Sequence, residues 1–371
     1  MSLLPREFTR REFAKLSALS LGARFAPRLA AQPAERQTGY AIIGLGRIAA
    51  IFMAGVRNSA NSKVTALVSG HRDKALRIAA DYGVPESSIY NYENFDSIVS
   101  NKNVDAVYVA LPNSMHAEYS IRAAKAGKHV LCEKPMANSV DECEQMIAAS
   151  KSAGVKLMIA YRCQYEPTNL KAIDLIRSGA IGQVQAIESA FGFRIAPGEW
   201  RLDKKLAGGG PLVDVGIYSL NATRYLTGEE PVSFAAFAST IDKDGRFKEV
   251  EENLSWTMRF PSGIVAACNT SYGAATGGFY KVHGSKGWID FNPAFNYDGL
   301  RLRAEYYSAP GASPTVLDLP STARNPYQFQ AEAEHFAHCV QNGLEPKTPG
   351  EEGLRDMRYI AEIYRAAGAT A

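Results

Sequence analysis

The chain is 371 residues long, which is enough for two domains that each bury a hydrophobic core. Hydrophobic residues make up 46% of it and charged residues 21%, an ordinary composition for a globular protein. A formal net charge of +3 without a dense run of Lys or Arg argues against a nucleic-acid partner, and no apolar run reaches the roughly 18 residues of a membrane span. The five cysteines are scattered, so neither a disulfide framework nor a metal site is predicted.

The N-terminal segment, residues 1–38, is predicted to lie outside the fold. Residues 9–15 contain the pair Arg10-Arg11 and resemble a twin-arginine export signal, and a mildly apolar stretch follows over residues 16–25. Ala30 and Ala31 supply small residues for cleavage. The pattern predicts a periplasmic protein, with an N-terminal arm on a cytoplasmic protein as the alternative.

The first predicted strand of the fold leads directly into a glycine motif. Residues 40–43 form a short apolar run, and Gly44-x-Gly46-x-x-Ala49 follows and opens a helical pattern. Gly44 permits the tight turn, Gly46 lets the backbone approach a pyrophosphate, and Ala49 lets the helix pack closely on the sheet. The spacing predicts a Rossmann-type dinucleotide site. The cofactor contacts predicted in this turn are Gly44, Gly46, Arg47 and Ile48.

The second predicted strand, residues 64–68, ends in residues that favour one cofactor. NAD-binding proteins of this type usually carry an acidic residue there for the ribose 2′-hydroxyl. This chain has Ser69 and Gly70 instead, and Arg72 and Lys74 follow as cations that could neutralise a 2′-phosphate. These residues predict NADP as the cofactor, with a solvated basic turn as the alternative.

Further alternation of strands and helices predicts a parallel, doubly wound α/β sheet. Strands are predicted at 105–110, 129–132 and 156–160, and ligands bind at the carboxyl ends of such strands. The candidate cofactor contacts at these ends are Leu111, Asn113, His116, Glu133, Lys134 and Arg162. For His116, capping of the following helix is an equal alternative.

The second half of the chain changes to strand-like patterns from residue 183 onward. Runs at 184–193, 232–241, 249–260, 264–272, 279–283 and 288–291 predict an antiparallel sheet, and helices are predicted at 330–341 and 351–367. The predicted divisions are a segment 1–38, a nucleotide-binding domain 39–161 and a substrate-binding and oligomerisation domain 162–371. Because the open face of such a sheet must be covered, a homodimer or homotetramer is expected.

Several motifs between residue 40 and the C-terminus match a known pattern. They are Tyr-Ala-Ile-Ile-Gly-Leu-Gly from Tyr40, Leu-Pro-Asn-Ser-Met-His-Ala-Glu from Leu111, Cys-Glu-Lys-Pro-Met from Cys132 and Gly-Gly-Gly-Pro-Leu-Val-Asp-Val-Gly-Ile-Tyr from Gly208. With them the chain resembles the Gfo/Idh/MocA family, and within it the group of glucose–fructose and aldose–aldose oxidoreductases. The resemblance implies a C-terminal α+β domain with a large, mostly antiparallel sheet that mediates assembly. It also implies a cis Pro135, and an NADP that stays bound while one sugar is oxidised and another is reduced.

The predicted catalytic group combines Lys134 with Asp214 and Tyr218. Asp214 and Tyr218 are four residues apart, on one face of a predicted helix. A phenol with a pKa near 10 is a poor base at neutral pH, and a nearby Lys134 is expected to lower that pKa. Tyr218 is therefore predicted to be the general acid/base, Lys134 its electrostatic tuner and a hydroxyl ligand, and Asp214 the residue that orients the substrate.

The predicted substrate pocket also contains aromatic and arginine side chains, which suit sugar CH surfaces and hydroxyl groups. They are Arg162, Tyr165, Trp200 and Arg201. The predicted reaction is NADP-dependent oxidation of a cyclic aldose at C1 to the lactone. The alternatives are a sugar or polyol dehydrogenase with exchangeable NAD(P), a nicotinamide-dependent glycosidase of the same fold, and a sugar sensor without enzymatic activity.

Overall fold

The computed structural model describes residues 36–369. The export signal predicted around Arg10-Arg11 lies outside this range. Of the predicted N-terminal segment 1–38, only residues 36–38 lie within it. Within the described range no helix has both the length and the apolar character to cross a membrane.

The N-terminal sheet consists of six parallel strands. They are β1 (Thr38–Ile43), β2 (Ser62–Val68), β3 (Ile89–Tyr90), β4 (Ala106–Val109), β5 (His129–Glu133) and β6 (Leu157–Ala160). The strand order is β3-β2-β1-β4-β5-β6, so the direction of the winding reverses between β1 and β4. Dinucleotides bind at this reversal in folds of this type. The predicted doubly wound sheet is confirmed, and β3 is an additional short strand.

Helices cover both faces of this sheet, which explains why its strands are apolar throughout. They are α1 (Arg47–Asn58), α2 (Arg72–Tyr82), α3 (His116–Lys125) and α4 (Val140–Ala153). A further helix, α8 (Tyr327–Asn342), comes from the far end of the chain and packs on α1. The contact is close, since a Cβ at Gly55 would lie 2.7 Å from the backbone nitrogen of Gln330. The predicted second domain, 162–371, thus contributes a helix to the first.

The second sheet has eight strands. They are β7 (Val184–Gly192), β8 (Ser233–Ser239), β9 (Asn253–Arg259), β10 (Val265–Ser271), β11 (Gly277–Gly284), β12 (Gly287–Phe291), β13 (Arg301–Tyr306) and β14 (Thr315–Pro320). Their order is β14-β13-β12-β11-β7-β10-β9-β8, and only the β7–β10 pair is parallel. The mostly antiparallel sheet is confirmed, while β13 and β14 were not predicted.

Four helices accompany the second sheet. They are α5 (Pro167–Arg177), α6 (Lys204–Ala207), α7 (Ile217–Thr227) and α9 (Gly350–Ala366). Among them α7 packs on β7 and β10, and α9 lies against both α7 and α4. The helix α7 therefore runs between the two sheets, where it can present side chains to the carboxyl ends of the N-terminal strands.

The outer face of the second sheet carries a row of alternating charges, one residue from each of five neighbouring strands. The row is Glu188, Lys281, Asp290, Arg303 and Asp318, each paired in register with the next. The residues that alternate with them along the strands, such as Ile187, Val282 and Ile289, are buried. The charged row thus faces away from the core.

Candidate active site

The turn between β1 and α1 has the backbone that a pyrophosphate requires. Gly44 has a positive φ of 82°, and a Cβ there would lie 2.4 Å from the carbonyl oxygen of Ala110. At Gly46 a Cβ would meet no atom within 4 Å, so the turn leaves open space beside its backbone. The first turn of α1 has no side-chain cap and no acidic residue, which leaves its N–H groups available to an anion. Arg47 is exposed and Ile48 half-buried beside this space, so the residues present fit a dinucleotide.

The end of β2 presents a mixed polar surface. Ser69 is buried, and its hydroxyl accepts a hydrogen bond from the backbone N–H of His71 at 3.1 Å, while Gly70 is exposed. Arg72 forms an ion pair with Glu86, and both side chains are mostly exposed. Exposed ion pairs contribute little free energy, so the pair with Glu86 would do little to prevent Arg72 from turning toward a phosphate. Lys74 is exposed on the same turn of α2.

The loops after β4 and β5 are joined by His116. Its Nδ1 lies 2.8 Å from the carbonyl oxygen of Pro135 and its Nε2 lies 2.9 Å from that of Leu111. Burial lowers the pKa of His116, although these carbonyl contacts oppose the shift. The amide of Asn113 donates to the carbonyl of Ala207 at 2.8 Å. The side chains of His116 and Asn113 therefore hold these loops together. His116 is 1% exposed, so its imidazole has no contact with open space.

The end of β5 positions Lys134. The buried carboxylate of Glu133 accepts hydrogen bonds from the Tyr108 hydroxyl and from the backbone N–H of Lys134. The Lys134–Pro135 peptide bond is cis, as expected. The Lys134 ammonium donates to the backbone carbonyl of Asp214 at 2.6 Å and lies 3.5 Å from its carboxylate oxygen Oδ1.

Asp214 is held from three sides. It lies in a π-helical turn, Leu212–Gly216, that directly precedes α7. The Tyr272 hydroxyl donates to its Oδ2 at 2.9 Å, and Nε of Arg201 lies 3.0 Å from the same oxygen. Burial alone would raise the pKa of Asp214, but the charges of Lys134 and Arg201 bring it below its usual value. The carboxylate is therefore ionised at neutral pH.

Tyr218 lies in the first turn of α7, beside the cations of the site. Its ring packs against Phe191 and Phe295, with centroid distances of 5.5 and 5.6 Å. The Lys134 ammonium lies 4.8 Å from the ring centroid and the Arg162 guanidinium 5.0 Å from it.

The acidity of Tyr218 differs from the expectation. Burial raises the pKa of its phenol well above the ordinary value, and the cation that opposes the shift most strongly is Arg162. The expected net lowering of this pKa is therefore wrong, because burial dominates the shift and the Lys134 ammonium is directed to Asp214.

Arg162 is buried and turned into the protein. It donates to the backbone carbonyls of Phe295 at 2.6 Å and Asn296 at 3.3 Å, and also to the side chain of Gln328. Its guanidinium stacks 4.5 Å from the ring centroid of Tyr297. No carboxylate lies within ion-pair distance of it in residues 36–369. Tyr218 is one of the titratable groups that interact with the charge of Arg162, and Tyr297 and Cys163 are others.

The remaining predicted pocket residues divide into two groups. Arg201 contacts Asp214 and stacks on the ring of Trp200 at 4.6 Å, so these two side chains lie beside the Lys134–Asp214–Tyr218 group. Tyr165 is buried elsewhere, with its hydroxyl 3.2 Å from that of Thr348. Tyr272, which holds Asp214, was not assigned to the site, although it ends a predicted strand.

The comparisons with known proteins match this architecture. Residues 38–161 match the family model described as "Oxidoreductase family, NAD-binding Rossmann fold". Residues 169–290 match the model described as "GFO/IDH/MocA C-terminal domain".

Similar proteins align with most of the chain. A D-xylose 1-dehydrogenase [NADP(+)] of Haloarcula marismortui is 33% identical over 82% of this chain and 84% of its own length. A D-xylose 1-dehydrogenase (NADP(+)) of Haloferax volcanii is 30% identical over 88% of this chain and 97% of its own. The crystal structure of an aldose-aldose oxidoreductase from Caulobacter crescentus, complexed with glycerol, superimposes with a TM-score of 0.85 at 47% identity, over 90% of this chain and 98% of that one. The chain therefore belongs to the Gfo/Idh/MocA family of oxidoreductases.

Proposed function

We propose that the protein is an NADP-dependent sugar oxidoreductase that oxidises a cyclic aldose at C1 to the lactone. The observation that carries the proposal is the convergence of Lys134, Asp214 and Tyr218 beyond the carboxyl end of β5. The similarity to an aldose-aldose oxidoreductase and to NADP-dependent D-xylose 1-dehydrogenases supports the substrate class and the cofactor.

The nucleotide would be held by the turn between β1 and α1 and by the basic end of β2. The N–H groups at the start of α1 would bind the pyrophosphate beside Gly46, and Arg72 with Lys74 would neutralise the 2′-phosphate. When bound, NADP supplies the acceptor of the hydride from C1. Of the cofactor contacts predicted at the ends of the later strands, Leu111, Asn113, Glu133 and Lys134 remain in this proposal. His116 and Arg162 are buried and bonded to backbone carbonyls.

The three residues of the catalytic group would have different roles at the sugar. The ionised Asp214 would accept a hydrogen bond from a sugar hydroxyl and fix the orientation of the ring. Tyr218 would take the proton from the anomeric hydroxyl, and Lys134 would donate to the same oxygen and stabilise its developing charge. Arg162 would stabilise negative charge on the phenol from the other side, and Trp200 would pack on the sugar.

Two modes of turnover are open to this site. Similarity to the aldose-aldose oxidoreductase favours a nucleotide that stays bound and is re-oxidised by a second sugar. Similarity to the D-xylose 1-dehydrogenases favours a nucleotide that exchanges at each turnover. Measuring the NADP content of the purified protein after dialysis, with and without aldose, separates the two.

The test of the proposal is aldose-dependent reduction of NADP across a panel of aldoses. Tyr218→Phe should lower kcat by about 10²–10⁴-fold, because general acid–base catalysis contributes that much, and should leave NADP affinity unchanged. Tyr297→Phe is the matched control, since Tyr297 stacks on Arg162 without belonging to the catalytic group. Full turnover by Tyr218→Phe would exclude the proposed mechanism, and failure of every aldose would exclude the proposed substrate class.

We also propose assembly and export. Copies would associate through the outer face of the second sheet, where Phe237 is 82% and Val316 is 66% exposed. The pair Arg10-Arg11 would direct export to the periplasm, which a reporter fused after residue 38 would test: replacing both arginines with lysine should retain the reporter in the cytoplasm.

A further inference from the structure

Three consecutive glycines lie between α6 and the π-helical turn that carries Asp214. Gly208 ends α6 with a positive φ of 78°, a left-handed conformation that favours glycine. Gly209 and Gly210 do not have a positive φ, and the proposed function assigns them no role. The lack of a side chain at these two positions therefore needs a different explanation.

Two side chains from distant segments occupy the space beside these glycines. A Cβ at Gly210 would lie 2.6 Å from Oε2 of Glu251, and a Cβ at Gly209 would lie 2.5 Å from the hydroxyl oxygen of Tyr364. Glu251 lies just before β9, and Tyr364 lies in the last turn of α9. The glycines thus allow a carboxylate and a phenol from elsewhere in the chain to reach the backbone at the start of the turn.

Glu251 and Tyr364 bind the first N–H groups of the turn. The Glu251 carboxylate accepts hydrogen bonds from the backbone N–H of Gly210 at 3.2 Å and of Leu212 at 3.3 Å. The Tyr364 hydroxyl donates to this carboxylate at 2.8 Å and accepts from the N–H of Gly210 at 3.2 Å. The first N–H groups of a helical segment have no partner within it, and a negative charge near them is favourable. Glu251 is therefore a helix cap supplied by another part of the chain.

This cap lies one turn before Asp214. The backbone N–H of Asp214 donates to the carbonyl of Gly210 at 3.3 Å, so the capped residue is bonded directly to the residue that carries the orienting carboxylate. The carbonyl of Asp214 in turn accepts from the Lys134 ammonium at 2.6 Å. The backbone from Gly210 to Asp214 therefore connects Glu251 to two members of the catalytic group.

Burial and hydrogen bonding act in opposite directions on Glu251. Burial raises the pKa of its carboxyl group above the ordinary value, and the hydrogen bonds from Tyr364 and from the N–H groups of Leu212 and Gly210 oppose the shift. These donors favour the carboxylate over the acid. A glutamine here would keep the size of the side chain, but its amide nitrogen could not accept a hydrogen bond.

We propose that Glu251, together with Tyr364, is a positioning residue that holds the π-helical turn in the conformation in which Asp214 meets the sugar. The inference rests on the proposed function and assigns no proton or hydride transfer to Glu251. When only a fraction of the molecules has the binding conformation, the apparent Kd rises by the inverse of that fraction. Saturating sugar restores the conformation, so loss of the cap should affect KM more than kcat.

The first test is Glu251→Gln, assayed by reduction of NADP with the best aldose. We expect KM to rise by about tenfold or more, since hydrogen bonds to a charged group are lost. The value of kcat should remain within about threefold, because saturating sugar selects the ordered turn. A merely structural role would instead lower the amount of active protein at constant KM. An unchanged KM would overturn the proposal.

Glu166→Gln is the matched control. Glu166 is also buried, and its carboxylate also accepts from a backbone N–H in the first turn of a helix, that of Asn169 in α5 at 2.5 Å, and from the Ser321 hydroxyl at 2.6 Å. No member of the catalytic group lies in α5. Both variants should unfold at a lower temperature than the wild type, but only Glu251→Gln should raise KM. An equal rise of KM in both variants would contradict a specific role of Glu251.

The second test requires neither sugar nor nucleotide. Amide hydrogen exchange in the peptide 210–218 should be about tenfold faster or more in Glu251→Gln than in the wild type, and unchanged in Glu166→Gln. Tyr364→Phe removes one donor to Glu251 and one acceptor for Gly210, and should accelerate the same peptide. The measurement tests the cap even where no aldose is oxidised, so its failure is distinct from failure of the proposed function. Wild-type exchange in Glu251→Gln would show that the cap does not order the turn.

Discussion

Asp214 shows at the residue scale how a substrate-orienting carboxylate is kept in one position. Tyr272 donates to Oδ2, Arg201 lies beside the same oxygen, and Lys134 is bonded to its backbone carbonyl. A carboxylate fixed in this way loses little conformational freedom when a sugar binds.

Tyr272→Phe should weaken sugar binding by releasing one side of Asp214. A hydrogen bond to a charged group contributes about 1.5–3 kcal/mol, so kcat/KM should fall by about tenfold or more, mostly through KM. NADP affinity should not change. Tyr280→Phe is the matched control, because it also removes a buried tyrosine hydroxyl of the second sheet, one bonded to Asn169 at 2.6 Å. An unchanged KM in Tyr272→Phe would argue against the role of Asp214.

Glu332 gives a prediction for stability as a function of pH. It is fully buried on α8, and neither carboxylate oxygen has a hydrogen-bond partner within residues 36–369. Burial raises its pKa well above the ordinary value, Glu133 adds to the shift, and Arg162 opposes it. Because the folded pKa exceeds the unfolded one of about 4.3, the stabilising effect of the bound proton is complete below that pH and is lost as pH rises.

Glu332→Gln should therefore raise the free energy of unfolding at pH 8 and change it little at pH 5, since glutamine needs no proton. Urea unfolding at the two pH values measures the difference. Glu334→Gln on the same helix controls for the substitution itself. Equal effects of Glu332→Gln at both pH values would show that Glu332 is not a protonated acid in the fold.

At the element scale, the two glycines of the turn between β1 and α1, Gly44 and Gly46, have different functions. Gly44→Ala should destabilise the fold by about 1–3 kcal/mol, because its positive φ and the nearby Ala110 carbonyl both exclude a Cβ. Gly46→Ala should leave stability unchanged, since φ is −80° and the space is open, but should weaken NADP binding by tenfold or more. Thermal unfolding and calorimetric titration with NADP distinguish the two variants. Wild-type affinity in Gly46→Ala would place the pyrophosphate elsewhere.

Elements with a strong local pattern could be predicted from the sequence, and elements fixed by tertiary contacts could not. The strands of the first sheet are continuous apolar runs, and the motif from Gly44 fixes where α1 begins. In β14 five of the six residues are exposed, so no alternation marks it as a strand. No local sequence pattern indicates the π-helical turn before α7 either, because Asp214 and Tyr218 would share a face in an ordinary α-helix as well.

The same distinction applies to the candidate site. Lys134, Asp214 and Tyr218 could be identified from motifs, and the structure brings them together. The burial that suppresses the acidity of Tyr218 and the approach of Arg162 depend on Phe191, Phe295 and the packing of distant segments. Short-range sequence patterns contain no information on such contacts.

At the scale of the whole molecule, assembly can be tested through the outer face of the second sheet. Phe237 lies on the edge strand β8 and is 82% exposed. Phe237→Lys should shift the protein toward smaller species in sedimentation, because it places a charge where apolar contact is expected. Val99→Lys, at an exposed apolar residue outside this sheet, is the control. If the wild type sediments as a monomer, the proposed assembly is wrong.

The row of alternating charges on that face restricts how two copies can meet. From Glu188 to Asp318 the row reads the same in both directions: negative, positive, negative, positive, negative. In the proposed assembly, a twofold axis that is parallel to the strands and lies in the interface directly over β12 would set Asp290 against Asp290 of the other copy, and the two carboxylates would repel each other. An axis midway between β11 and β12, displaced by about 2.4 Å, half the strand spacing, sets Lys281 of one copy against Asp290 of the other, and Glu188 against Arg303. For copies that pair through this face as proposed, the palindromic order of charges therefore favours an axis that passes between strands.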